Sequence, residues 1–175
     1  MAPFAIVVMG VSGCGKTTVA SRLAQRLGWD FAEADTFHSA ANVQKMQSGI
    51  PLTDADRWPW LDGIAAWIEG KRREGRHCIV ACSALKRAYR ERLANGHDDV
   101  RFVYLRGAYE TIAARMAGRT GHYMPLSLLQ SQFDALEEPA ADEGALILPI
   151  ETPPDELVEA IVRGSTGSPR TATSS

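Results

Sequence analysis

The chain has 175 residues, of which 45% are hydrophobic and 23% charged, and its formal net charge is −2 at pH 7. This composition is typical of one soluble globular domain, and the net charge gives no reason to expect a nucleic-acid or membrane partner. No apolar run approaches the ~20 residues of a membrane span, and no secretory signal opens the chain. Three cysteines without metal-ligand spacing, Cys14, Cys78 and Cys82, favour buried thiols in a reducing compartment. We therefore predict a cytoplasmic protein without membrane or nucleic-acid partners.

Apolar runs alternate with helical periodicity along the chain. The apolar runs predict strands at 4–9, 31–34, 78–82, 102–105 and 146–150. The periodic segments predict helices at 16–27, 40–46, 59–73 and 85–94, a helix ending near 118, and helices at 126–136 and from 153 onward. This alternation implies right-handed crossovers, so the predicted fold class is α/β, with three layers and a five-stranded parallel sheet flanked by helices.

The first predicted strand leads into Gly10-Val11-Ser12-Gly13-Cys14-Gly15-Lys16-Thr17, which fits the phosphate-binding pattern G-x-x-x-x-G-K-[ST]. A chance glycine-rich turn is the alternative, and the strand before it and the helix after it argue against chance. Backbone N–H groups of such a loop bind phosphates, while Lys16 reaches the β- and γ-phosphates and the Thr17 hydroxyl holds Mg²⁺. The predicted ATP-binding residues are Gly10, Ser12, Gly13, Cys14, Gly15, Lys16, Thr17 and Thr18.

Polar side chains that follow the predicted strands are candidates for binding the phosphate acceptor, because ligands of open α/β sheets bind beyond the carboxyl ends of the strands. They are Asp35, His38, Asp54, Asp56, Arg57, Ser83, Lys86, Arg90, Arg115, Arg119 and His122. Asp35 could orient a hydroxyl that attacks the γ-phosphorus in line, or it could cap the next helix. His38 fits either the same cleft or a solvated helix end.

Two pairs of cationic residues have helical i, i+4 spacing. Lys86 and Arg90 would offer two positive charges to an anionic acceptor. Arg115 and Arg119 precede Gly121, a possible hinge for a lid that brings arginine to the transferring phosphoryl group. Solvated helix faces are the alternative for both pairs.

Several sequence blocks together resemble the small P-loop gluconokinases, relatives of shikimate kinase and the adenylate kinases. The blocks are 9–17, 35–38 with Asn42 and 45–46, 48–57 with 59–61, 82–86 with Tyr89 and Arg90, 119–124 and 131–139. They include the stretches Asp-Ala-Asp-Arg, Cys-Ser-Ala-Leu-Lys and Gly-His, which are more specific than the phosphate loop alone.

The resemblance implies ATP- and Mg²⁺-dependent phosphorylation of the 6-hydroxyl of D-gluconate, giving 6-phosphogluconate. Asp35 resembles the acid that orients this hydroxyl, and Arg119 with His122 resembles a lid at about 119–130. Arg115 resembles an arginine that packs on adenine, with Pro139 bordering the base. The residues that resemble the substrate pocket are His38, Asp56, Arg57, Lys86 and Arg90. The resemblance also implies a single P-loop kinase domain at 1–164 and a possible homodimer, and the small polar residues at 165–175 predict a disordered tail.

Two other functions stay open at this point. One is a kinase for another small acceptor, such as shikimate or a nucleotide, against which the 54–57 block argues. The other is a nucleotide-driven switch without a small-molecule acceptor. The sequence has no Asn-Lys-x-Asp motif for reading guanine, which argues against GTP.

Overall fold

A computed structural model describes residues 3–118 and 126–166, with side chains through 164. A five-stranded parallel sheet lies at its centre, in the order β2-β3-β1-β4-β5. The strands are β1 (Ala5–Met9), β2 (Asp30–Glu33), β3 (Cys78–Ala81), β4 (Val100–Arg106) and β5 (Leu146–Pro149). The predicted strands and their parallel pairing are confirmed, with ends that shift by up to two residues.

Seven α-helices surround the sheet within the described part of the chain. They are α1 (Lys16–Leu27), α2 (Ala40–Gln47), α3 (Asp54–Glu74), α4 (Arg87–Ala94), α5 (Tyr109–Ala117), α6 (Leu126–Ala135) and α7 (Pro154–Thr166). The connections β1–β2 and β2–β3 run in opposite directions along the sheet, so right-handed crossovers place α1 and α3 on opposite faces. Helix α7 packs on α1, and α4 packs on α3.

The core explains why the strands read as continuous apolar runs. Every residue of β1 and β3 is fully buried, since both strands are interior to the sheet and covered on both faces. The phosphate loop therefore follows one of two fully buried strands, so its first residue has a fixed position.

Helix α3 begins at Asp54, five residues before the predicted start at residue 59. The prediction took Pro59 as a first helical residue, where proline is favoured. Instead, Thr53 and Asp56 form a capping box, in which the Thr53 hydroxyl accepts the Asp56 N–H and the Asp56 carboxylate accepts the Thr53 N–H. Pro59 lies inside the helix.

Two predicted segments fall partly outside the described residues. Residues 119–125 of the predicted lid lie outside them, while 126–130 form the first half of α6. The predicted tail boundary also shifts, because α7 continues through Thr166. Residues 167–175 lie outside the described part. No helix of the described residues is long and apolar enough to cross a bilayer.

Candidate active site

The phosphate loop joins β1 to α1 and is packed against α5. Gly13 has φ +80°, and a Cβ at this position would lie 2.8 Å from Met116 Cγ, so both the backbone conformation and the space require glycine. Gly15 has φ +94° and caps α1, which directs the first N–H groups of the helix into the loop. The loop therefore has the geometry of a phosphate-binding turn.

Thr17 and Glu33 bring two oxygen ligands together beside the loop. The Thr17 hydroxyl donates to Glu33 Oε2 at 2.5 Å. A hydroxyl next to a carboxylate fits Mg²⁺, which binds one or two protein oxygens and otherwise phosphate and water. Among the described residues no three His, Cys, Asp or Glu side chains form a metal-binding group. Sequence analysis missed Glu33, although it ends β2 and satisfies the same strand-end rule as Asp35.

A cleft beyond the carboxyl ends of β1, β2 and β3 joins the phosphate loop to the predicted acceptor residues. The predicted residues that line it are Ser12, Lys16, Asp35, His38, Arg57 and Ser83. Lys16 Nζ lies 3.5 Å from the Val11 carbonyl oxygen, so its ammonium remains close to the loop. The cleft has a volume of about 40 Å³, enough for only a few water molecules. A sugar acid would have to displace side chains to enter.

His38 is held against one wall of the cleft. Its ring stacks on Trp60 with a centroid distance of 4.2 Å, and Asn42 Nδ2 lies 3.4 Å from His38 Nδ1. Trp60 in turn donates its indole N–H to the Ala34 carbonyl at 2.7 Å. Burial lowers the pKa of His38, an effect that the Asp35 carboxylate partly opposes. The neutral imidazole is therefore favoured at pH 7.

Arg57 belongs to a polar cluster with three neighbours. It donates from Nη1 to the Tyr89 hydroxyl at 2.9 Å, and that hydroxyl donates to the Asp54 carboxylate. Lys86 Nζ donates to the same carboxylate at 3.1 Å. The bonds from Tyr89 and Lys86 lower the pKa of Asp54. Arg57 reaches the cleft, whereas Lys86 is absent from its lining and pairs with Asp54 behind it.

Asp56 and Arg90 do not line the cleft, although the resemblance implied that they bind substrate. Asp56 closes the capping box of α3 and pairs with Lys45 at 3.0 Å. Arg90 is buried and binds both carboxylate oxygens of Glu143, at 2.7 and 3.1 Å. Arg90 also donates from Nη1 to the Ala84 carbonyl at 2.9 Å. These three bonds indicate a structural role for this residue.

The turn that follows β3 explains what Arg90 supports. Ala84 has φ +46°, a left-handed conformation that costs energy in a residue with a Cβ. Arg90 binds the Ala84 carbonyl, while the neighbouring Ser83 carbonyl accepts the Gly10 N–H at 3.3 Å. Arg90 thus helps to hold a strained turn that places Ser83 in the cleft and contacts the first residue of the phosphate loop.

A second cavity, of about 450 Å³, lies on the other side of the phosphate loop. Its predicted lining residues are Cys14, Gly15, Thr18 and Arg115, and Arg115 Nη2 donates to the Ile150 carbonyl at 2.9 Å. This cavity can take the adenine base. Pro139 is absent from the lining, which includes Pro153 and Pro154 instead. Sequence analysis passed over these two prolines because it assigned them to the start of the last helix. The remaining predicted residues, Arg119 and His122, lie outside the described residues.

The site can now be compared with known proteins. A family model described as "AAA domain" matches residues 6–139. The chain is 47% identical over 161 residues to a gluconokinase of Gluconobacter oxydans (strain 621H), covering 92% of this chain and 90% of that protein. It is 45% identical to the thermosensitive gluconokinase of Escherichia coli (strain K12), over 84% of this chain and 79% of that protein.

Solved structures agree with these relatives. A gluconokinase from Sinorhizobium meliloti 1021 is 42% identical, with a TM-score of 0.84 over 93% of this chain and 91% of that one. A shikimate kinase from Acinetobacter baumannii has a TM-score of 0.56 at 18% identity over 93% of this chain and 92% of that one, a likeness of fold alone. The phosphate loop, the acceptor cleft and these similarities over most of the chain lead to one conclusion: the chain belongs to the gluconokinase family of P-loop kinases.

Proposed function

We propose that this protein transfers the γ-phosphoryl group of ATP to O6 of D-gluconate, giving 6-phospho-D-gluconate and ADP. One observation carries the proposal: a single cleft joins Lys16 of the phosphate loop to Asp35 and Arg57. An anionic polyol needs a cation for its carboxylate and a proton acceptor for its hydroxyl, and the cleft offers both. Relatives named gluconokinases support the same acceptor.

In the proposed reaction, a lone pair of gluconate O6 forms a bond to the γ-phosphorus. The bond from that phosphorus to the bridging oxygen breaks, and its electron pair leaves with ADP. The O6 proton passes to the Asp35 carboxylate and from there to solvent. Lys16 stabilises the negative charge on the transferred group, and Arg57 binds the gluconate carboxylate. For the lid residues Arg119 and His122, a role in closing over ATP stays a prediction.

We also propose that Thr17 and Glu33 hold Mg²⁺. Their adjacent oxygens support this assignment, which adds Glu33 to the residue predicted from the sequence. Bound Mg²⁺ supplies positive charge to the phosphate oxygens and so lowers the barrier to transfer. The base cavity beside Arg115 supports adenine binding between that residue and the 152–154 segment.

The compartment and the assembly also stay proposals. Three free and buried thiols support a reducing compartment such as the cytoplasm. Burial raises the pKa of Cys78 and Cys82 to about 12, which makes these two thiols unreactive. The homodimer rests on resemblance, and light scattering of the purified protein would measure its mass in solution.

An acceptor panel tests the proposed function. Purified protein with Mg·ATP is given D-gluconate, the neutral sugar D-glucose, shikimate or a nucleoside monophosphate, and ADP release is measured in each case. We expect turnover with gluconate at least 100-fold above every other acceptor. Equal turnover with another acceptor would contradict gluconate specificity, and ADP release that needs no acceptor would favour the nucleotide switch.

A further inference from the structure

Gln132 of α6 makes a two-point contact with the phosphate loop that the proposed reaction has not used. Its Oε1 accepts the Ser12 backbone N–H at 2.7 Å, and its Nε2 donates to the Ser12 hydroxyl at 3.1 Å. The amide orientation follows from chemistry, because a backbone N–H can only donate and must therefore face the carbonyl oxygen. The contact joins residues 120 positions apart in the sequence.

The two cavities indicate which part of the nucleotide reaches this contact. Cys14, Gly15 and Thr18 line the base cavity, whereas Ser12 and Lys16 line the acceptor cleft. ATP bound with its base beside Arg115 therefore extends through the loop, and its terminal phosphoryl group enters the cleft at Ser12. Gln132 lies at this end of the nucleotide path.

The Gln132 amide imitates part of a phosphoryl group at this position. Its carbonyl oxygen takes a loop N–H that a phosphoryl oxygen would otherwise accept. The cleft has a free volume of about 40 Å³, so a terminal phosphoryl group that enters at Ser12 would have to displace lining side chains, of which Gln132 is one. Since Ser12 has a single backbone N–H, a γ-phosphoryl oxygen that accepts this N–H takes the place of Oε1, and ADP lacks that phosphoryl group.

We propose that Gln132 is a catalytic residue that distinguishes ATP from ADP and contacts the transferring phosphoryl group. In the arrangement described above, Oε1 satisfies the Ser12 N–H. In the ATP complex, a γ-phosphoryl oxygen accepts that N–H, and the displaced amide donates from Nε2 to another oxygen of the same group. A neutral donor at this point stabilises the negative charge that develops on the phosphoryl group during transfer. Because Gln132 belongs to α6, the change of its hydrogen-bond partner also couples α6 to whether the loop holds ATP or ADP.

Two variants of Gln132 test the proposal, which rests on the proposed kinase reaction. Gln132→Ala removes the donor, and we expect kcat to fall by roughly 10- to 100-fold. Gln132→Glu has nearly the same shape and still accepts the Ser12 N–H, but it cannot donate and places a negative charge beside the γ-phosphate. We expect its Kd for a non-hydrolysable ATP analogue to rise at least tenfold and its Kd for ADP less than threefold. Isothermal titration calorimetry without acceptor gives both constants.

Gln130→Ala and Gln130→Glu are matched controls, because Gln130 lies exposed on the same helix and donates to Asp134 rather than to the loop. Both controls should behave like the wild type, and thermal unfolding verifies that every variant is folded. An unchanged kcat in Gln132→Ala would overturn the proposal, as would an equal loss of ADP and ATP-analogue affinity in Gln132→Glu. If gluconate gives no turnover in the acceptor panel, the proposed function fails, but the nucleotide affinities can still be measured. Failure of the proposed function and failure of the Gln132 proposal are therefore distinguishable.

Discussion

Asp35 and His38 lie three residues apart beside the same cleft, yet their surroundings give them different chemistry. His38 is stacked on Trp60, and burial lowers its pKa, so a neutral imidazole is favoured at pH 7. Asp35 lines the cleft together with Lys16 of the phosphate loop. We therefore infer that Asp35 accepts the proton and that His38 contributes hydrogen bonds and shape.

Replacing Asp35 should affect the chemical step far more than substrate binding. Asp35→Asn keeps the size of the side chain but removes a proton acceptor, so we expect kcat to fall by about 100-fold or more with less than a fivefold change in the KM for gluconate. Initial rates of ADP release at varied gluconate measure both constants. Asp155→Asn, at an exposed ion pair with Arg22, is the control. A near-normal kcat in Asp35→Asn would remove the proton-accepting role.

His38 should make folding sensitive to mild acid. The unfolded histidine takes up a proton as the pH falls through about 6.5, whereas folded His38 resists protonation until a lower pH. Its contribution to stability is therefore present above pH 6.5 and is lost as the pH falls towards its folded pKa. Urea unfolding at pH 7.5, 6.5, 5.5 and 5.0 should give a smaller loss of unfolding free energy in His38→Phe than in the wild type.

His77→Phe is the matched control for this experiment, since His77 also stacks on a tryptophan, Trp29, with a centroid distance of 4.7 Å. An identical pH dependence in His38→Phe and the wild type would contradict the lowered pKa of His38.

Some residues of the candidate site could be predicted from the sequence and others could not. Lys16, Asp35 and Arg57 were predicted to face one site, and the structure brings them to one cleft. Glu33 was missed as a site residue although it ends a strand, and its contact with Thr17 is visible only in the structure. Gln132 was missed because its role depends on Ser12 lying opposite. Spacing along the chain carries no record of contacts between residues 120 positions apart. The catalytic and binding roles themselves stay predictions.

At the scale of elements, the start of α3 and one face of α4 form a single hydrogen-bonded unit. Asp54 and Arg57 belong to the first turn of α3, and Tyr89 of α4 is bonded to both. The strand ends and most helix ends could be predicted from local sequence patterns. Asn95, for example, ends α4 in a left-handed conformation that asparagine tolerates. The start of α3 could not be predicted in this way, because Pro59 is a strong local signal that the capping box at Thr53 overrides.

Tyr89→Phe tests whether α4 orients Arg57. The change removes the hydroxyl that accepts from Arg57 and donates to Asp54, while the ring remains. We expect the KM for gluconate to rise about fivefold, equivalent to about 1 kcal/mol, with kcat within a factor of two. Tyr109→Phe, whose ring packs edge-on against Phe133, should leave both constants unchanged. A KM equal to that of the wild type would mean that Arg57 keeps its orientation without Tyr89.

At the scale of the whole molecule, the ion pair of Arg90 and Glu143 links α4 to the turn that precedes β5. The exposed fractions of their side chains are 2% and 12%, and burial of this kind makes the loss of one partner costly. Next to this link, the Glu137 N–H donates to the Leu85 carbonyl at 2.8 Å. The segment after α6 is therefore attached to the turn that carries Ser83.

A double-variant cycle separates the structural role of Arg90 from the substrate contact implied by the resemblance. Arg90→Met removes the cation from the largely buried Glu143 carboxylate, which keeps its bond from the Ala140 N–H, and should lower the unfolding free energy by about 3 kcal/mol. Adding Glu143→Leu removes that carboxylate and should restore part of the loss, since the Ala84 carbonyl still lacks its Arg90 donor, and the double variant should keep its KM for gluconate within threefold. Urea unfolding and initial rates measure the two effects. A KM for gluconate that is raised tenfold or more in a stable double variant would instead support the substrate contact that the resemblance implies for Arg90.

The strand order places the phosphate loop and the 34–57 segment after strands with different numbers of neighbours. β1 carries the phosphate loop and is paired on both sides, whereas β2, which leads to Asp35 and His38, pairs with β3 at one edge of the described sheet. A change in the segment after an edge strand disturbs one hydrogen-bonded ladder instead of two. Substitutions in the 34–57 segment, which carries Asp35, His38 and Arg57, should therefore disturb the strand that leads to the phosphate loop less than changes next to β1 would.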